Sequence, residues 1–329
     1  MNHKKILVIG GGTGTYTILS GLKKYPLDLS VIVTMMDNGG SNRIIRDEFG
    51  LLPTSDLRQC MIALSEEKPK DLLRKLFTYR YSSGVGISGM TFGNLYMAAL
   101  TDIYGSQELA IEKTCEFLDV KGKILPVTFD STNLVAVYDN GREVLGEHAI
   151  DEPDEESSTH KIVGLYVLPK AKANKKATGE LKKVDMIVLG PGDLYTSILP
   201  NIVIDGIKEA ISTSSAKVVF VLNLMTKYGQ TQNFKASDYL KEAEKYLGKN
   251  IIDCVIVNSG KFTEKALEWY ANTGAKPVED DLKNLKGIKV VRGDFVDKNI
   301  YVKSKADKLT RSLIRHDSDK LAKVVVSLL

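Results

Sequence analysis

Ile6-Leu7-Val8-Ile9-Gly10-Gly11-Gly12-Thr13-Gly14-Thr15 decides the fold. Four apolar residues in a row suit a strand buried on both faces, as in a parallel sheet. The glycines then turn the chain into a stretch where Ile18, Leu19 and Leu22 share one face of a helix. Strand, glycine turn and helix in that order bring backbone N–H groups and the positive end of a helix dipole to one point, which favours an anion. The GxGxxG pattern is not met, because counting from Gly10 puts Thr15 in the last place, and no Walker A lysine follows. A plain nicotinamide dehydrogenase or P-loop ATPase is therefore disfavoured.

Working outward, apolar β-branched runs recur at residues 29–35, 185–190, 217–223, 251–258 and 289–291. Stretches of helical period separate most of them: Ser55 caps one carrying Leu57, Met61 and Leu64, and Leu321, Val324, Val325 and Leu328 line the last. This alternation predicts an α/β fold, a Rossmann-like doubly wound and mainly parallel sheet. Residues 123–170 break the rhythm with β segments around Asp139-Asn140-Gly141, a tight hairpin turn. We read residues 123–183 as an inserted β-rich subdomain, with residues 1–122 and 184–329 forming the nucleotide-binding core. The acidic run 151–156 and the lysine- and alanine-rich run 170–183 read as solvated surface.

The 329 residues are 43% hydrophobic and 26% charged, the balance of an ordinary globular protein. Forty-five basic against 41 acidic residues leave a net charge of +4, too mild for a nucleic-acid-binding face. Cys60, Cys115 and Cys254 lie far apart, so neither a disulfide framework nor a zinc site is suggested. Glycines interrupt the first apolar run, and no run is long enough to cross a bilayer, so a cytoplasmic location is expected.

The first loop offers Gly11, Gly12, Thr13 and Gly14 to a ligand. Asp37 ends the second strand, where open α/β sheets place an acid for ribose hydroxyls, and Asn38, Gly39, Gly40 and Ser41 follow at once. Arg43 and Arg46 could add charge-assisted bonds to phosphate. A third loop, Gly190-Pro191-Gly192-Asp193-Leu194-Tyr195-Thr196-Ser197, contributes Gly192 and Thr196, and Asn223 ends another strand. Residues 84–89 are glycine-rich enough for a lid, with Asn94 at the helix start beyond them. Among the histidines only His316 has company, in Arg315-His316-Asp317; a surface histidine is the commoner reading, and Arg315 is the better candidate, its planar fork suiting a diphosphate.

Gly10-Gly11-Gly12-Thr13-Gly14, Asp37-Asn38-Gly39-Gly40-Ser41, Asp56-Leu57-Arg58-Gln59-Cys60, Gly93-Asn94-Leu95, the run from Gly190-Pro191-Gly192 to Leu199-Pro200-Asn201, and Arg315-His316-Asp317 occur in one order. In that order the chain resembles the gluconeogenesis factors, or YvcK-like proteins, which sit with the 2-phospho-L-lactate transferases in the CofD-like superfamily. The resemblance covers nearly the whole chain. It implies a Rossmann-like core with an inserted region and the binding of nucleotide sugars such as UDP-N-acetylglucosamine. It also implies a role in gluconeogenic growth and in cell shape through peptidoglycan precursor supply, and it places Arg315 close to the nucleotide sugar.

The transferase branch implies another chemistry, transfer of a lactyl or related phosphoryl group from a guanosine donor to a deazaflavin, assisted by a divalent metal. This chain departs from the family pattern at Asn38, where a second aspartate is usual, and at Ser55, Met90 and Gln230. Fewer carboxylates weaken a metal site, so no metal ligands or catalytic residues are assigned. The leading reading is a non-catalytic nucleotide-sugar-binding regulator; a nucleotide-dependent transferase and a nicotinamide-binding oxidoreductase are the alternatives. The expected partner is a small molecule, without nucleic acid, and homo-oligomerisation stays open.

Overall fold

Strands run in chain order as β1 (Lys4–Gly10), β2 (Leu27–Val33), β3 (Lys123–Pro126), β4 (Asn133–Tyr138), β5 (Glu143–Leu145), β6 (Ile162–Leu168), β7 (Met186–Leu189), β8 (Lys217–Val221), β9 (Cys254–Asn258) and β10 (Lys289–Gly293). The computed structural model describes residues 3–66, 71–283, 285–299 and 313–329; of the N-terminal stretch, Met1 and Asn2 lie outside them. Seven strands make one parallel sheet in the order β10-β9-β8-β7-β1-β2-β3. The chain winds outward through β1, β2 and β3, then returns to β7 beside β1 and winds the other way. That reversal makes a doubly wound sheet with its switch point between β1 and β7.

Ile6, Leu7, Val8 and Ile9 are all fully buried, which is why the strand reads as an unbroken apolar run: helices cover both faces. One of them, Gly12–Leu22, packs on Ser55–Leu64 and on the terminal helix Ser318–Val326. A Cβ at Gly21 would lie 2.1 Å from the Ser318 carbonyl oxygen, so only glycine allows the terminal helix this approach. Register sets the ends of the strands level, with Gly10 opposite Val33 and Ile9 opposite Leu189. The loops leaving β1, β2, β7 and β8 therefore emerge along one edge.

A second sheet is antiparallel, β5-β4-β6, with the hairpin turn at Asn140-Gly141 as expected. Lys123–Pro126, read above as the opening of the insert, is instead the edge strand of the main sheet, paired with β2. Four residues at a sheet edge carry too little pattern to separate the two roles. Residues 170–183 are also less solvated than expected. Helix Lys175–Leu181 buries Ala177 and Leu181, and Glu180 accepts from Ser30 Oγ (3.0 Å) and Lys123 Nζ (2.8 Å). Burial works to raise the Glu180 carboxyl, but those two donors hold it below its ordinary value.

Candidate functional site at the switch point

Gly11, in extended conformation, caps helix Gly12–Leu22 without a side-chain hydrogen bond, so the first-turn N–H groups face outward. Gly12 has φ +63°, a left-handed conformation that favours glycine, and a Cβ there would meet nothing within 4 Å. The third loop closes against the first, since a Cβ on Gly14 would lie 2.2 Å from the Pro191 carbonyl oxygen. Two glycine loops from the strands flanking the switch point thus form one wall, bordering a cavity of about 520 Å3. Gly11, Gly12, Thr13, Gly14, Asp37, Gly39, Gly192, Thr196, Asn223 and Arg315 all line it.

Asn38, Ser41 and Asn94 do not line that cavity. Asn38 Oδ1 accepts from the His148 backbone N–H (2.8 Å), pinning the second loop to the inserted segment. Asn94, fully buried, donates through Nδ2 to Ser41 Oγ (3.0 Å) and Asn42 Oδ1 (3.3 Å), and its Oδ1 accepts from Thr54 Oγ1 (3.1 Å). These side chains brace the loop from behind, so the structure places three of the expected ligand contacts in the scaffold. Asp37 does both jobs: Oδ1 accepts from Gly39 N–H (2.8 Å) and Oδ2 from Asn42 Nδ2 (2.6 Å), while the carboxylate faces the cavity. Arg46 turns away to Asn133 Oδ1 (2.7 Å), and Arg43 pairs with Asp47 (3.4 Å). Residues 84–89, read above as a lid, are not part of the lining.

After β7 the chain makes a π-helical turn, Leu194–Ile198, with the Asp193 carbonyl accepting from Ile198 N–H (3.1 Å). The turn brings Asp193 to Lys227, which follows β8, and Thr196 to Asp151. Lys227 Nζ donates to Asp193 Oδ2 (2.7 Å) and to Asp151 Oδ1, and Thr196 Oγ1 donates to the same Asp151 oxygen (3.0 Å). Burial opposes the charge on Lys227, yet the two carboxylates outweigh it and raise the ammonium pKa; burial likewise opposes the charge on Asp151, yet Lys227, Thr196 and Gln230 lower its pKa. Asp151 belongs to the run read above as solvated surface. Glu155 and Glu156 are exposed, but Asp151 turns inward and ties the inserted segment to the core.

Glu147, from the same segment, shares the cavity with Asp37 and Asp56. Burial first, then the charges of Asp37, Asp151 and Asp56, push its carboxyl well above the ordinary range, with Lys227 opposing. At the opposite end Trp269 and Tyr270 meet edge to face at 4.8 Å beside Leu224, Met225 and Ile314. The buried Asn223 Oδ1 has no hydrogen-bond partner among the described residues. His316 is buried rather than on the surface: burial lowers its pKa to about 4 against a hydrogen bond with the Leu222 backbone, so its ring is neutral at pH 7. Asp317 beside it caps the terminal helix, accepting from Asp319 and Lys320 N–H (3.0 Å each) and fixing where Arg315 stands.

Sequence reading missed Glu147, Asp151, Lys227 and Trp269, because each comes from an element whose place at the site is set only by tertiary packing. The one local signal was Asp193 directly after a glycine loop. A divalent metal, implied by the transferase branch, does not fit this donor set. The oxygens of Asp37 accept within its own loop, Asp151 Oδ1 and Asp193 Oδ2 are taken by Lys227 Nζ, and no group of three or more metal-binding side chains is assembled among the described residues.

The geometry is that of a doubly wound α/β protein with a cavity bordered by glycine loops at its switch point. The chain belongs to the gluconeogenesis factors of the CofD family, matching over residues 6–296 the family model described as 2-phospho-L-lactate transferase CofD. It is 36% identical to the gluconeogenesis factor of Bacillus subtilis, covering 99% of this chain and 98% of that one. It is also 36% identical to the gluconeogenesis factor of Halalkalibacterium halodurans, over 99% and 97% of the two chains. A crystal structure of a Bacillus halodurans protein, described as a member of the UPF0052 family, superimposes with a TM-score of 0.88 at 34% identity, covering 99% of each chain. No helix among the described residues is long and apolar enough to cross a membrane.

Proposed function

We propose that this protein is a cytoplasmic regulator that binds a nucleoside diphosphate sugar of the UDP-N-acetylglucosamine kind, and that it serves gluconeogenic growth and cell shape through the supply of peptidoglycan precursors. One observation carries the binding reading: two glycine loops from the strands beside the switch point, packed on each other, border a single cavity with Arg315. Loop N–H groups and a helix N-terminus suit a diphosphate, and a guanidinium adds a charge-assisted fork. Regulation rather than turnover is supported by Asp151 and Asp193, which are held by Lys227, and by Asp37, which accepts from its own loop.

Calorimetric titration with UDP-N-acetylglucosamine, GDP and NADH, each with and without magnesium, tests the reading. Tight binding of the UDP sugar alone is expected, whereas preference for NADH would overturn it. A second reading, a transfer reaction of the 2-phospho-L-lactate transferase kind, is favoured by the family description and by the acidic end of the cavity. It requires magnesium-dependent GDP binding and product formation, which the same titrations and a turnover assay would reveal.

A further inference from the structure

The cavity has two chemically different ends, and strand order fixes how far apart they lie. Loops after β2 supply Asp37 and Gly39, and Asp56 lies beside Gly11, where a Cβ would meet Asp56 Oδ2 at 2.5 Å. Glu147 joins them because its neighbour His148 is held by Asn38 and packs on Gly39, 3.2 Å from the position a Cβ would take. Trp269 and Tyr270 lie on the helix after β9. Between β2 and β9 stand β1, β7 and β8, so the chain leaves β2 and β9 at points about 19 Å apart, four interstrand spacings. The glycine loops of β1 and β7 occupy the middle.

In most doubly wound folds the acid after the second strand holds the ribose, which puts the base at that end. Here the β2 end presents no flat apolar surface among the described lining residues. A nucleobase needs such a surface, which the indole of Trp269 supplies. Carboxyl groups lining one end of a cavity suit hydroxyl groups, and the charges of Asp37 and Asp56 repel an anion. Resting on the nucleotide reading above, we propose that the ligand lies along the sheet edge in the reverse sense, base at Trp269 and an uncharged, hydroxyl-bearing sugar among Asp37, Asp56 and Glu147. The site then selects nucleoside diphosphates of neutral sugars and rejects those of uronic acids.

Trp269 is the only tryptophan of the chain, so its emission reports the base end alone. Titrations of the full-length protein with UDP, UDP-glucose, UDP-glucuronate and glucose 1-phosphate, followed by calorimetry and by fluorescence, test both halves. UDP and UDP-glucose should quench Trp269, glucose 1-phosphate should not, and UDP-glucuronate should bind at least tenfold more weakly than UDP-glucose. Asp56→Asn should narrow that gap; the parent protein decides the other arms regardless of how the variant folds. UDP-glucose binding with unmoved Trp269 emission, or equal affinity for UDP-glucuronate, overturns the orientation while leaving nucleotide binding intact. Absence of binding by every uridine diphosphate removes the nucleotide reading itself, and the orientation with it.

Discussion

Gly14 touches the backbone of Pro191 so closely that a Cβ on Gly14 would lie 2.2 Å from the Pro191 carbonyl oxygen. Because that neighbour is backbone, it cannot swing aside. Gly14→Ala should separate the two loops, cost about 1–3 kcal/mol of stability as an overpacked site does, and weaken ligand binding in step. Urea unfolding and titration of the same variant check this; a variant with unchanged stability and affinity would show that the loops move independently.

Lys227 stands between Asp151 and Asp193, with 27% of its side chain and 29% of that of Asp151 accessible. Lys227→Met leaves the two carboxylates facing each other. The expected loss is about 3 kcal/mol, the low end for breaking a buried pair because part of each group still reaches water. Asp151 has a lowered pKa, so its share of stability is present above the ordinary aspartate value and fades as pH falls through the lowered one. Lys227 has a raised pKa, so its share is full below the ordinary lysine value and is lost only as pH rises through the raised one. The stability gap between parent and variant should therefore be flat from mildly acidic to mildly alkaline pH and shrink in strong acid, as measured by urea unfolding across pH.

His316 gives the acid limb a separate component. Its ring is neutral when folded, with the pKa lowered from 6.5 to about 4 by burial. Stability from this depression is complete above pH 6.5 and declines as pH falls toward 4, by about 3 kcal/mol in all. His316→Gln should flatten unfolding free energy over that interval relative to the parent. A parent curve no steeper than the variant between pH 6.5 and 4 would contradict the buried, neutral assignment.

Arg315→Ala addresses the ligand rather than the fold. Arg315 lines the cavity, and the cap made by Asp317 fixes the start of the helix that follows. Losing a hydrogen bond to a charged phosphate should cost about 1.5–3 kcal/mol of binding. The midpoint of thermal unfolding without ligand should move little. Titration with UDP-glucose at fixed salt measures the first and a melting curve the second.

The sheet and its glycine loops were legible because a strand buried on both faces leaves an unbroken apolar run, as Ile6 to Ile9 do. The short edge strand Lys123–Pro126 was misassigned because one flank of such a strand is bare and its pattern weak. At the site, sequence marked the backbone donors but not which polar loop residues face inward. Asn94 and Gly12 both sit in glycine-rich segments, yet one is a fully buried brace and the other opens on the cavity. Lys227 and Asp151, 76 residues apart, meet only because the inserted segment folds back over β8's loop. No local pattern encodes such a meeting.

The contact of Gly21 with Ser318 has a consequence for synthesis. Helix Gly12–Leu22 is made well before its cover, since the surface around Gly21 is closed only once residues 318–326 have followed it. The nascent chain must therefore carry an uncovered apolar face while the intervening strands are made, and Arg315 reaches the cavity together with that cover. The cavity is completed only when helix Ser318–Val326 docks, so its cover and the Arg315 guanidinium come in one step.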